Sequence, residues 1–174
     1  KFLEKNKKNL EKKFPNTRII IENIALGSDQ KIIIFNQFNE SSSSTMNDIN
    51  QESKYFKKKF NLLNFRNKKK VYESFELKTE TLDNYIEKNN IDKISFLKID
   101  TEGYEYEILK GLKKKIEFIS TIMFEHHYDN MIIKKYTFSE INYFLKKNNF
   151  YQVYKSKMPF RKTFEYIYKR NKFD

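Results

Sequence analysis

Apolar residues recur along this chain with two different spacings, and the changes between them mark its elements. Within the first fourteen positions Phe2, Leu3, Leu10 and Phe14 leave one apolar side on a helix, which Pro15 and Asn16 end. Residues 18–26, RIIIENIAL, are short and β-branched and predict a strand. Gly27-Ser28-Asp29 then turns the chain into a second strand at 31–35. The alternation in VYESFEL predicts another strand at 71–77, and 80–89 suits a short helix with acids in its first turns. A buried-type strand follows at 94–99, then a helix at 104–109 with Lys110 in its last turn and Gly111 as a left-handed stop. A strand at 119–124 runs into Glu125-His126-His127. Residues 139–148 predict a helix capped by Ser139, and 150–154 with 163–168 predict a closing antiparallel pair around Pro159. The polar stretch 36–53 contains the serine run of residues 41–44 and reads as a flexible loop. Residues 56–67 are strongly basic and fit neither period.

The order of these elements carries more than any one of them. Strand, helix, strand over 94–124 is a βαβ unit, which implies a parallel sheet covered by helices. Ligands of such sheets bind beyond the carboxyl ends of the strands. Two of those ends carry unusual polar groups: Asp100-Thr101-Glu102-Gly103 and Glu125-His126-His127.

Asp100 closes an apolar strand, where a carboxylate without a partner is costly. Asp100 or Thr101 could simply cap the next helix, with Glu102 and Glu105 complementing its dipole. Capping leaves Gly103 unexplained, since glycine in a first turn is unfavourable unless something approaches the backbone closely. Both readings of Asp100 stand on these residues. At the second end, adjacent histidines point to opposite sides of a strand and do not make a metal pair. One of them beside Glu125 could serve as a general base with its orienting group; the alternative is a pair of ordinary exposed histidines.

Charge complicates the picture at first. The chain has 174 residues and a formal charge of +12, which invites a nucleic-acid reading. Yet 31 of the 35 basic residues are lysine and only 4 are arginine, alongside abundant Asn, Ile, Phe and Tyr. That is the bias of A/T-rich codons, and arginine is the residue for bidentate phosphate and base contacts. A lysine-rich polyanion-binding module, gripping through Lys57-Lys58-Lys59 and Lys68-Lys69-Lys70, is therefore the alternative rather than the leading reading. With no cysteine, disulfides and thiolate metal sites are excluded. The absence of an apolar run of about 20 residues, and of an apolar core in the first positions, leads us to expect a soluble, cytoplasmic protein of one domain.

Four segments together resemble the FkbM-type S-adenosylmethionine-dependent methyltransferases: TLDNYI at 81–86, ISFLKIDTEGYEYEILKGL at 94–112, IMFEHH at 122–127, and NIALGSD at 23–29. The family pattern is a T-L-D element, a strand ending K-I-D-x-E-G, a helix closing with L-x-G and a strand ending in an acid. The serine run matches a serine-containing loop of that pattern. The resemblance covers a core of about 1–127, followed by a C-terminal helix and edge strands at 128–174.

The resemblance implies a class I methyltransferase, an α/β Rossmann-like fold whose mostly parallel sheet ends in an antiparallel edge hairpin. It implies S-adenosylmethionine as cofactor, held by Asn23, Ala25, Leu26, Asp100, Glu102 and Gly103. It places Asp100 at the cofactor–acceptor junction, and Glu125, His126 and His127 are the candidates for acceptor binding or proton removal. The acceptor class is a sugar, a glycan or another small hydroxylated molecule; aromatic residues of the tail, Tyr151, Tyr154, Phe160, Phe164 and Tyr166, could stack on its ring or pack the last strands. No metal is required. The family's first two strands and glycine-rich loop have no counterpart, since the 3 glycines fall at 27, 103 and 111. The expectation is a partial domain that is inactive alone.

Overall fold

The computed structural model describes residues 2–38, 44–54, 56–58, 72–159 and 161–171, with Phe2 described by its backbone alone. The fold is α/β, with mixed sheets and several helices.

The first helix, α1 (Phe2–Lys13), carries Glu4 in its first turn and Lys12 and Lys13 in its last, as the helix dipole favours. Its apolar side does not reach a core: Leu3, Leu10 and Phe14 stay exposed. The strand expected over 18–26 shrinks to β1 (Ala25–Leu26), because only these two residues find a ladder, parallel to β4 (Tyr72–Glu80). Antiparallel to β4 on its other side runs β2 (Ile32–Phe38), giving the order β1-β4-β2.

The polar stretch after β2 is more ordered than its composition suggests. Asn36 and Thr45 exchange both backbone hydrogen bonds, at 2.8 and 3.0 Å, and Thr45 and Asn47 are buried. Beyond them β3 (Asp48–Ile49) pairs antiparallel with β7 (Ile132–Ile133). Ser41, Ser42 and Ser43 lie outside the described residues, as does most of 56–67 with Lys59 and Lys68 to Lys70.

The expected βαβ unit is present. The strand β5 (Leu97–Ile99) runs parallel to β6 (Thr121–His127), and α3 (Glu105–Lys110) lies between them in the chain. Antiparallel partners follow, β9 (Thr163–Arg170) beside β6 and β8 (Phe150–Lys157) outside it, in the order β5-β6-β9-β8. The closing antiparallel pair is thus as expected. In place of one mostly parallel sheet, however, the described residues form three sheets in which only β1–β4 and β5–β6 are parallel. Ile94, read as part of the strand, is tied to Ile119 by an isolated bridge instead.

The main core lies on one face of the four-stranded sheet. Ile122 and Phe124 of β6 and Tyr166 and Tyr168 of β9 pack with Ile86, Leu109, Ile141 and Leu145, all essentially inaccessible. These last four come from α2 (Leu82–Lys88), α3 and α4 (Phe138–Lys147). The T-L-D element explains itself here. Thr81 accepts from the N–H of Asn84 as the cap of α2, Leu82 is buried, and the Asp83 carboxylate accepts three backbone N–H groups, from Lys113, Lys114 and Lys115.

Two caps differ from expectation. Thr137, not Ser139, caps α4, in a full capping box with Glu140. Gly111 is not a left-handed stop, since its φ is −75°. Glycine is required there for space: a Cβ on residue 111 would lie 2.3 Å from the carbonyl oxygen of Gly27. Among the described residues no helix is long and apolar enough to cross a membrane.

Candidate active site

The carboxyl end of β5 leads into the turn Thr101-Glu102-Gly103, and this turn is held from three directions. Glu105, fully buried at the start of α3, accepts from the Gly103 N–H at 2.9 Å and from the Thr101 N–H and hydroxyl at 3.3 Å. Its second oxygen takes the Tyr136 hydroxyl at 2.5 Å. From the other side, the Thr45 hydroxyl donates to the Glu102 carbonyl at 2.8 Å and the Asn47 amide donates to the Gly103 carbonyl at 2.6 Å. So bound, the backbone takes positive φ at Glu102, +49°, and at Gly103, +94°. A Cβ on Gly103 would meet Ile132 Cγ2 at 2.9 Å. The close approach that glycine permits at 103 is made by the protein's own β7.

The turn aims Glu102 at the end of β6. There Glu102 Oε2 lies 3.3 Å from His127 Nε2. On the far side of the imidazole, Nδ1 is 3.0 Å from the Thr163 hydroxyl, directly across the β6–β9 ladder, and 3.8 Å from Asp129 Oδ2. Asp129 is itself fixed by the Met131 N–H at 3.0 Å. His127 is 6% exposed, and its Nε2, although at ion-pair distance from Glu102, has no hydrogen-bond partner among the described residues.

Strand alternation sorts the remaining candidates. Glu125 shares the His127 face of β6, is buried, and stands opposite Glu165. Asp100 sits at the end of the neighbouring β5, paired with Lys98 at 2.9 Å and still 43% exposed. His126 points to the opposite face, among the rings of Tyr128, Phe138 and Tyr136 at 4.7, 5.7 and 5.8 Å. The structure therefore gathers Asp100, Glu102, Glu125 and His127 and sends His126 into the aromatic core.

The electrostatics follow this division. Burial alone would pull His127 down, but the Asp129 carboxylate near Nδ1 and the charges of Glu102 and Glu105 outweigh it and raise the imidazole above its ordinary value. Glu102 is raised mainly by burial, against the pull of His127. Burial also raises Glu125, and the Asp100 charge adds to it. Burial, with the charges of Lys134 and His127 added, pushes His126 down to about 4.

The residues expected to hold S-adenosylmethionine fall in two places, Asn23, Ala25 and Leu26 at or just before β1 and Asp100, Glu102 and Gly103 just beyond β5. Glu102 faces His127, Gly103 is packed by Ile132 and Asn47, and Leu26 packs against the main core. Asn23 is exposed beside β1, in the other sheet. Asp100 is the one expected carboxylate open to a cationic or hydroxylated group. Among the described residues no group of three or more histidine or acidic side chains is placed to hold a metal ion.

Sequence reasoning missed Glu105, Thr45, Asn47, Asp129, Thr163 and Tyr136. Asp129 could have been found, two residues beyond His127 in the same polar run. Thr163 gave no signal, because its role depends on the β6–β9 register.

The end of β6 thus holds a buried histidine flanked by a carboxylate and a hydroxyl, beside acids at the end of its parallel neighbour. The family model of the methyltransferase FkbM domain matches residues 2–151, and the chain belongs to that family of methyltransferases. The match extends beyond His127 to include α4 and the start of β8. No curated protein and no solved structure matches the chain.

Proposed function

We propose that this protein serves S-adenosylmethionine-dependent methylation of a hydroxyl group on a sugar, glycan or other small hydroxylated acceptor, with His127 as the general base. The observation that carries this reading is His127 itself: a buried imidazole whose Nε2 lacks a hydrogen-bond partner while its Nδ1 is held by Thr163 and Asp129.

The donor supplies an electrophilic methyl group, and the chain's own residues handle the acceptor. With its proton on Nδ1, directed at Asp129 and Thr163, the neutral imidazole presents Nε2 as an acceptor for the substrate hydroxyl proton. Removing that proton as the oxygen gains its methyl group generates an imidazolium, which Glu102 and Asp129 stabilise on either side. Asp100, open at the strand end, suits the junction between donor and acceptor. Glu125 reinforces the negative potential on this face. His126, enclosed by rings, takes no part in proton transfer.

The test is transfer of a labelled methyl group from S-adenosylmethionine to a panel of hydroxylated acceptors, using protein expressed from the complete reading frame. Methylation of an acceptor hydroxyl that His127→Ala slows by about 10²-fold or more and His126→Phe preserves supports the reading. Transfer to nitrogen or carbon, or transfer indifferent to His127, sinks it.

A further inference from the structure

Asp129 links the histidine to a second feature. Besides backing His127, it lines an open groove of about 770 Å³, together with Asn50, Lys54, Lys58, Tyr128 and Lys162. That volume suits a molecule the size of a monosaccharide or disaccharide. We infer that this groove binds the acceptor through a phosphate or carboxylate group, so that the substrate is an anionic hydroxylated small molecule; this rests on the methyl-transfer reading above.

The argument is one of unmatched charge. The groove's two acids are already engaged: Glu52 by Lys57 at 2.6 Å, and Asp129 by His127 and the Met131 N–H. Its three lysines, Lys54, Lys58 and Lys162, make no ion pair among the described residues and are exposed. A concave wall then concentrates their positive potential where an oxyanion can meet it. A smaller concave site of about 500 Å³, lined in part by Tyr104 and Tyr136, differs in this respect. Two of its lysines are matched, Lys31 by Asp29 at 2.9 Å and Lys110 by Glu107 at 2.5 Å.

The groove also has a fixed aromatic wall. Tyr128 is 48% exposed, yet its hydroxyl meets that of Tyr166 at 2.8 Å and its N–H donates to the Lys162 carbonyl at 2.6 Å. A half-open, anchored ring of this kind packs on the C–H face of a sugar. The ring, the lysines and the carboxylate behind His127 thus border one space.

Amide chemical shifts of the chain, recorded at fixed ionic strength with glucose 6-phosphate, glucuronate and glucose, test this. Glucose 6-phosphate or glucuronate is expected to move Tyr128, Asn130 and Lys162, and which of them binds more tightly identifies phosphate or carboxylate. Glucose should bind at least about tenfold more weakly. The triple variant Lys54→Gln, Lys58→Gln, Lys162→Gln, checked for an unchanged thermal melt, should lose about tenfold in affinity for the anion. Equal binding of glucose, no response to either anion, or unchanged affinity in the variant would overturn the inference. So would binding that strengthens with the length of a heparin oligosaccharide, which marks a polyanion surface. The methyl-transfer assay separates the two readings. Equal methylation of neutral and anionic acceptors removes the anion preference alone, whereas anion binding through these lysines without transfer to any acceptor removes the enzymatic reading and leaves the anion site.

Discussion

The hydroxyl of Tyr136 donates to Glu105 at 2.5 Å in a part of the core where the Glu105 side chain is wholly withdrawn from water. Burial and the facing carboxylate push the phenol far above its ordinary range, so it remains a donor at every pH the fold survives. Tyr136→Phe should destabilise the protein by about 2 kcal/mol, since a charged acceptor loses a buried partner. A urea unfolding midpoint unchanged from wild type would contradict this.

The cap of α4 gives a paired comparison. Thr137→Ala removes the capping box with Glu140 and should cost about 1 kcal/mol. Ser139→Ala, two residues further in and exposed, should change Tm little. Thermal melts of the two variants decide between them.

At Gly111 a methyl group would meet the Gly27 carbonyl at 2.3 Å, and backbone cannot rotate away as a side chain can. Gly111→Ala should therefore cost about 3 kcal/mol by forcing α3 away from the end of β1. Gly27→Ala, whose Cβ would contact the Thr79 side chain at 3.2 Å, should cost less. Calorimetry that ranks them in the opposite order would refute the packing argument.

The two histidines should tilt stability in opposite directions with pH. His126 is pushed down to about 4 from 6.5, so its contribution is lost as pH falls between those values, where the unfolded chain binds the extra proton. His127 is raised above 6.5, so its contribution is present below that pH and is lost as pH rises through the higher folded-state value. The raised Glu102 and Glu125 act in the same sense as His127, beginning at lower pH. His126→Phe should flatten the acid limb of a stability–pH curve, and His127→Gln the neutral-to-alkaline limb.

Methyl transfer should have its own pH signature. A base must be neutral to accept a proton, so the rate should rise through the elevated value of His127 rather than at the ordinary 6.5. His127→Ala should lower kcat by about 10²- to 10⁴-fold and abolish this limb. A pH–rate profile that keeps the same limb in the variant would assign the proton to another group.

The legible parts of the fold were those set by local pattern. The β5–α3–β6 unit follows from strand, helix and strand periods close together in the chain, and Asp100 was visible as an acid ending an apolar run. The antiparallel closing strands were legible for the same reason. Residues 18–24 were not, because β-branched composition describes a pleated surface while a strand also needs a neighbour. Glu105 misled the sequence argument most. An acid in the first turn of a helix ordinarily answers the dipole, and only the fold shows this one enclosed with donors from Thr101, Gly103 and Tyr136. The placement of Thr45 and Asn47 beneath the Glu102–Gly103 carbonyls is a long-range event that a serine-rich, loop-like composition conceals.

Glu125, His126 and His127 occupy consecutive positions of β6 yet belong to different environments. Positions 122, 124 and 126 are committed to the helices and rings, whereas 125 and 127 stand opposite Glu165 and Thr163. Fold and chemistry are interleaved along one strand without sharing a residue. The chemical face can therefore drift by single substitutions at odd-numbered positions while the helix-packed face remains constant, a route by which one architecture can explore new acceptors without first losing its stability.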